Sequence, residues 1–385
     1  MMRITGKVVG VSLLALMTGC GSLSWMNPFK EKDKNPPAKL VDIKSPIPSK
    51  VLWKHSVGKA GLYQFTPAVA DNSVFVASND GAVERLDAAT GRSQWRIKAP
   101  GDLTAGVGSN GKVVAVGGLK GAIYVYDAAS GQKLWDTQAS SEVLASPVIS
   151  DELVIVRSLD NKITAYDIKT GERKWFLQRT TPALTLRSAS GMVVANGNVY
   201  VPQPAGRLIS LALANGVPRF EVSVADPKGA TELERVADIG GAPVIFDKDV
   251  CAATWQGKVG CFDAATGVGR WNKETSTDGG VAVDQRFVFV ADDQGNVNGY
   301  SRDSGAGAWK NDSLTNRVLS TPVSYGRVVA VGDYQGYVHL LSREDGSMLG
   351  RVETDGSAIK SAPQVVGNSM IFQTQAGTVA AITVD

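Results

Sequence analysis

Cysteine, histidine and long apolar runs are scarce in this chain, and each scarcity removes a class of function. Only three cysteines and two histidines occur among 385 residues. His55 and His339 lie far apart, and neither has Cys or carboxylate neighbours at ligand spacing. That argues against a zinc centre and against a His-activated nucleophile. After residue 20 no apolar run approaches the ~18 residues that a membrane-crossing helix needs. An excess of one charge is also missing, since 40 Lys+Arg face 37 Asp+Glu for a net +3. Such a balance leaves no basic field for nucleic acid. Glycine, by contrast, is plentiful at 42 residues, and a chain so rich in it must turn often.

The turns repeat. Asp87-Ala88-Ala89-Thr90-Gly91 is followed four residues after its Gly by Trp95. The same spacing recurs at Asp127–Gly131 with Trp135, Asp167–Gly171 with Trp175 and Asp263–Gly267 with Trp271. Degenerate copies put Phe220 after Gly216, Trp309 after Gly305 and Gly350 after Gly346. A recurrence every ~40–50 residues marks a repeat architecture. Asp, small residues, Thr or Ser and then Gly is turn chemistry: the carboxylate accepts from backbone N–H groups just ahead and Gly supplies a positive φ. The aspartates are therefore read as turn caps, not as catalytic carboxylates.

Each repeat reads as four strands. A Pro-x-Val-like strand comes first, as at Pro67-Ala68-Val69. An almost wholly apolar strand such as Val74-Phe75-Val76 follows, buried on both faces as stacked sheets require. Tight turns follow at Gly81, Gly121, Asn161, Gly206, Gly257, Gly295, Gly336 and Gly377, and eight such turns predict eight blades. Val51-Leu52-Trp53-Lys54-His55 looks like a fourth strand with no first three before it. Residues 369–373 and 378–383 look like strands still needing a fourth. The expected fold is thus an all-β, eight-bladed propeller over residues 49–385, closed by an N-terminal strand that completes the C-terminal blade and leaves no free edge between them.

The N-terminus reads as an address. Arg3 and Lys7 precede an apolar stretch from Val8 to Met17, and Thr18-Gly19-Cys20 closes it. Small residues before Cys20 resemble a bacterial lipoprotein signal, which implies cleavage after residue 19 and lipidation of Cys20. Gly21, where Asp would retain the protein at the inner membrane, implies sorting to the outer membrane. Loss of Arg3 and Lys7 lowers the net charge from +3 to +1. Residues 20–48 carry Pro28, Pro36, Pro37, Pro46 and Pro48 and are expected to be a flexible linker with an r.m.s. reach of roughly 25–30 Å.

Other motifs carry duller readings. Gly106-Val107-Gly108-Ser109-Asn110-Gly111 spells GxGxxG, but a nucleotide site needs a helix afterwards, whereas Lys112–Val116 reads as a strand. Cys251 and Cys261 flank Gln256-Gly257. With a two-residue turn there the thiols would point to opposite faces and stay separate, while a one-residue bulge would let them bond. Two separate buried thiols are the preferred expectation. The connections are uneven: Trp175 to Val193 spans 18 residues and Phe220 to Val244 spans 24, against 12 to 16 in most others. These consecutive long loops should lie side by side on one face, and long loops in compact folds are often functional. Residues 231–238 could form a short amphipathic helix.

The repeat resembles the tryptophan-docking motif of quinoprotein dehydrogenases, which are eight-bladed propellers. From the Cys20 signal to Thr383 the chain is most similar to a non-enzymatic branch, the BamB family of lipoprotein propellers in the machine that inserts β-barrels into the outer membrane. Residues 182–187 (Pro-Ala-Leu-Thr-Leu-Arg) and 229–238 carry that resemblance. It implies that Leu184, Leu186 and Arg187 contact the periplasmic (POTRA) domains of the barrel-forming partner BamA, with other assembly subunits and nascent outer-membrane proteins nearby. Asp238 matches the first of two acidic contact residues, and Gly240 stands where the second would be. The alternative arrangement tucks both leucines into the ring and pairs Arg187 with Asp238. The resemblance further implies no cofactor, no catalytic residue and a lipid-anchored, periplasm-facing location. The rival reading is a quinone- and Ca²⁺-dependent dehydrogenase. Against it, that family's adjacent Cys-Cys pair is missing, and the chain is short for a propeller with a covering active-site apparatus.

Overall fold

The computed structural model describes residues 35–43 and 46–384, with a compact unit running from Pro37 onward. The leader and Cys20 lie outside the described residues. Alternation and β-branched runs fold into eight blades of four antiparallel strands, and the sheet of blade 2 gains a short fifth strand, Gln64–Phe65, paired parallel with its first. Blade 1 spans 68–98, blade 2 103–138, blade 3 148–178, blade 4 193–223, blade 5 244–274, blade 6 281–311 and blade 7 323–353. Blade 8 takes three strands from 364–384 and its outer strand from Ser49–Ser56, which pairs antiparallel with Thr378–Val384. First strands of successive blades touch all the way round, with blade 8 meeting blade 1. The eight-bladed ring and its closing strand are as the sequence predicts.

Position within a blade sets burial. Second strands such as Ser73–Ala77 and Phe287–Ala291 are buried at every residue, because both faces pack on neighbouring blades. Outer strands such as Arg173–Gln178 bury mainly their tryptophan and leave charged residues outside. First strands line a central channel.

Blade-to-blade cohesion rests on one repeated contact. The indole N–H of Trp53, Trp95, Trp135, Trp175, Trp271 and Trp309 donates to a backbone carbonyl of the next blade's turn, at 2.5 to 3.0 Å. The ring lies against the Gly of that same turn. A Cβ at Gly171 would sit 2.8 Å from the Trp135 ring, and one at Gly346 only 2.4 Å from the Trp309 ring. These glycines also take positive φ, +72° at both positions. Turn geometry and the close approach thus demand the same residue. Phe220 fills the slot against Gly267 without a hydrogen-bonding tip. The turns are held as expected: Asp87 Oδ1 accepts from the Thr90 N–H at 2.9 Å and from its hydroxyl at 2.7 Å. Such bonds keep the Asp87, Asp127 and Asp263 carboxyls below the usual range, and the N–H groups of Thr170 and Lys169 draw Asp167 down to about 2.

One junction lacks this contact. Blade 7 has Gly350 in the aromatic slot, and the outer strand of blade 8 arrives from the N-terminal side of the chain rather than through an Asp-x-x-x-Gly turn. Residues expected to be free linker lie there instead. Ile47 donates its N–H to the Leu349 carbonyl at 2.8 Å and packs beside Leu349, Tyr325 and Val384 onto the core shared by blades 7 and 8. Arg351 reaches the Val41 carbonyl at 3.0 Å. Ala38 donates to Thr315 O at 2.8 Å and accepts from Arg317 at 3.0 Å. Arg317 is itself buried and fixed on Asp333 at 2.7 Å. This part of the chain is a strap on the ring.

Two local expectations are corrected. The turns between second and third strands have three residues, not two. In blade 5, Thr254 N–H bonds to Lys258 O at 3.0 Å around Trp255-Gln256-Gly257, with Gln256 at φ +49°. The extra residue moves the register by one. Cys251 therefore faces Cys261 across a 4.1 Å Cα–Cα distance, and the two form a buried disulfide instead of separate thiols. Residues 231–238 make a turn and no helix.

Trp135→Ala removes a buried ring and its bond to Ile168 O. The expected loss is ~3–5 kcal/mol of unfolding free energy, measured by urea denaturation. A loss below ~1 kcal/mol would contradict the docking account.

Candidate functional site

Blade-to-blade connections and second-to-third-strand turns emerge on one face, stitched together by backbone bonds such as Ala139 N–H to Gly121 O and Val224 N–H to Gly206 O, both 2.8 Å. On this face the long connections after blade 3 (179–192) and blade 4 (224–243) lie side by side. Asp238 joins them. One carboxylate oxygen accepts from the Leu186 N–H at 2.6 Å, the other from the Ala205 N–H at 2.8 Å. Its backbone carbonyl accepts from the Trp255 N–H at 2.9 Å. Asp238 is buried, so the carboxylate clamps loops and is not displayed to solvent.

The clamp shapes the Leu184–Arg187 stretch. Leu184 projects outward at 45% exposure. Leu186 is half-buried and lines a crevice with Leu144, Arg157, Ser190, Pro202 and Asp238. Arg157 forms the floor, donating to the Pro202 carbonyl and, at 2.9 Å, to the Ser190 carbonyl. Burial lowers its pKa to about 10 while Asp238 opposes the shift, so it stays cationic at neutral pH. Arg187 does not pair with Asp238. Its Nη2 meets Glu142 Oε2 at 2.5 Å, and the rest of the guanidinium stays open, with the side chain 61% exposed. An apolar anchor beside a positioned, half-free guanidinium suits recognition of a protein surface. Glu142 and Arg157 had no readable signal in the sequence, being single charged residues outside any repeated motif.

The neighbouring loop shows why a helix fails and why an acid is absent. Thr231 and Glu234 form a capping box, with Glu234 accepting from the Ala230 N–H at 2.7 Å and the Thr231 N–H at 3.0 Å. The turn then ends, because Ala237 and Ile239 are buried and Asp238 is held by the clamp. At Gly240 a Cβ would lie 2.5 Å from the backbone carbonyl of Asp278. No acidic side chain fits there without moving the next connection.

Catalytic groupings are sparse. Among the described residues no cluster of three His, Cys, Asp or Glu could hold a metal ion. The channel is lined by small and apolar side chains, with Asp278 and Lys360 its charged residues. Gly106 and Gly108 lie in the first strand of blade 2. A Cβ at Gly108 would strike the Pro147 carbonyl at 2.0 Å, so Gly108 serves blade packing, while Gly111 turns the chain at φ +82°. His339 is buried against Asp333 at 2.9 Å and His55 bonds Glu84 at 3.0 Å.

The ring and its loops define an eight-bladed propeller of docked-tryptophan repeats, with a clamped pair of long loops on one face. The family described as "Outer membrane protein assembly factor BamB" matches residues 44–103, 79–311 and 294–385. The chain is 41% identical to the BamB of Burkholderia pseudomallei over 89% of its own length and 90% of the relative's. It is 42% identical to that of Pseudomonas aeruginosa, with 97% and 98% covered. The crystal structure of BamB from Moraxella catarrhalis superposes with a TM-score of 0.81 at 26% identity, over 87% of this chain and 99% of that one. The chain belongs to the BamB family of outer membrane protein assembly factors.

Asp238→Ala should free two loops. Amide exchange at Leu186 and Ala205 is expected to rise at least ~10-fold, with a loss of roughly 1–3 kcal/mol for stranded N–H groups. Unchanged exchange at both amides would show that the carboxylate is no clamp.

Proposed function

We propose that this chain is a non-enzymatic scaffold subunit of outer-membrane protein assembly. Residues 1–19 are the leader, Cys20 carries the lipid, and the propeller faces the periplasm from the outer membrane. Its 179–192 loop binds the periplasmic POTRA domains of the barrel-forming partner BamA, and the complex assists insertion of β-barrels. Other assembly subunits and nascent barrel proteins share that surroundings. Family membership supports the reading, and so do the names of its relatives, which are outer membrane protein assembly factors. The observation that carries the partner site is Leu184, exposed beside an Arg187 fixed by Glu142 on a clamped loop.

Leu184 supplies the apolar anchor and Arg187 a fork-shaped donor toward a partner carboxylate, with the loop held by Asp238. In this reading Leu186 and Asp238 act by holding the loop, and Leu184 and Arg187 by touching the partner. Leu184→Ala with Arg187→Ala should weaken association with the purified periplasmic region of the partner at least ~10-fold. Circular dichroism should stay native. Wild-type affinity in the folded double variant would contradict the assignment.

A further inference from the structure

We propose that the docking face continues from the Leu184 loop across blades 3, 2 and 1, and that Leu62 is its second apolar anchor for the same periplasmic partner. The inference rests on the reading above and extends it to a surface that nothing in the Leu-x-Leu-Arg stretch announces.

Leu62 is 99% exposed, the most solvent-bare large apolar side chain among the described residues. It is not on a loose tip. The Ala60–Tyr63 turn closes through Tyr63 N–H to Ala60 O at 3.2 Å. Ala60 N–H bonds to Gln375 O at 3.0 Å, and the Gln375 side chain returns to Tyr63 O at 3.3 Å. Asn79 N–H holds Lys59 O at 2.9 Å. A leucine held out in this way loses little freedom when a partner covers it, which is the condition for an efficient anchor.

The link to the Leu184 loop is direct. Tyr63 donates its hydroxyl to Glu142 Oε1 at 3.4 Å, and Glu142 Oε2 holds Arg187 at 2.5 Å. Glu142 thus joins the segment entering blade 1 to the connection after blade 3. Leu119 and Leu159, on the turns of blades 2 and 3, are 43% and 42% exposed on the same face. Leu159 is fixed by its N–H to the Glu142 carbonyl at 2.8 Å. Size points the same way. A stable interface engages roughly 20–30 residues a side, more than one loop can offer. The arc from Leu62 to Leu184 supplies the missing area, with its apolar anchors set around a single ion pair.

The test measures affinity for the purified periplasmic region of the partner with three proteins in parallel: wild type, Leu62→Asp, and Leu184→Ala with Arg187→Ala. Because Leu62 touches solvent almost entirely, the Leu62→Asp protein keeps wild-type thermal stability. The expected result is a loss of at least about tenfold for Leu62→Asp and for the double variant alike. Wild-type affinity for Leu62→Asp beside a weakened double variant overturns the extended face and leaves the loop assignment standing. Wild-type affinity for both overturns the loop assignment as well. A dimer of the chain alone that sediments as a monomer only in the Leu62→Asp protein overturns the proposal too, by assigning Leu62 to a second copy.

Discussion

An indole lying flat on a glycine is the constraint on which the ring depends. Seven of the eight junctions bring an aromatic ring from one blade against the turn glycine of the next, six of them with an indole N–H bonded to a carbonyl. The contact is demanding in two independent ways: the glycine must adopt positive φ, and it must have no Cβ. Side-chain size, backbone conformation and a hydrogen bond therefore agree at each junction, which is the consistency a sequence needs to specify one structure. Where the pair is missing, between blades 7 and 8, the strap around Ile47 supplies both apolar contact and a backbone bond.

A ring fixed in this way leaves its loops free to specialise. The turns opposite the long loops are occupied with aspartate caps and tryptophan docking. The loop-bearing face has no such duty and carries Leu62, Leu184 and Leu233 in solvent. Its polar groups are used for shape. Asp238 spends its carboxylate on two backbone N–H groups, and Glu142 gathers Tyr63 and Arg187. The result is a stiff surface with apolar anchors, suited to holding another protein, over a channel wall of mostly small side chains.

Blade number, strand order and ring closure were legible because each repeat writes its turn and its tryptophan within a few residues of one another. The spacing of Asp87, Gly91 and Trp95 contains both halves of a docking contact, although the halves belong to different junctions. Features set by a single residue of register were not legible. The Cys251–Cys261 bridge follows from a three-residue turn that the string Gln256-Gly257 does not reveal. The strap was hidden because Ala38 and Val41 bind through backbone groups, which have no signature in a proline-rich segment. Residues 231–238 have a helix start in Thr231 and Glu234, yet Asp238 is diverted into the clamp. Of the candidate site, Leu184 and Arg187 stand in the open. Asp238 is spent inside, and Gly240 is pressed against the backbone at Asp278.

One face of this propeller is proposed to hold a protein partner. Photo-crosslinkers placed in intact cells at residues 182–190, and at the exposed Val217 and Val268 beside the Gly216 and Gly267 turns of the opposite face, test it most directly. The expected result is a crosslink to the barrel-forming subunit from the 182–190 loop and none from Val217 or Val268. Crosslinks to that subunit from Val217 or Val268 with none from the loop would contradict it.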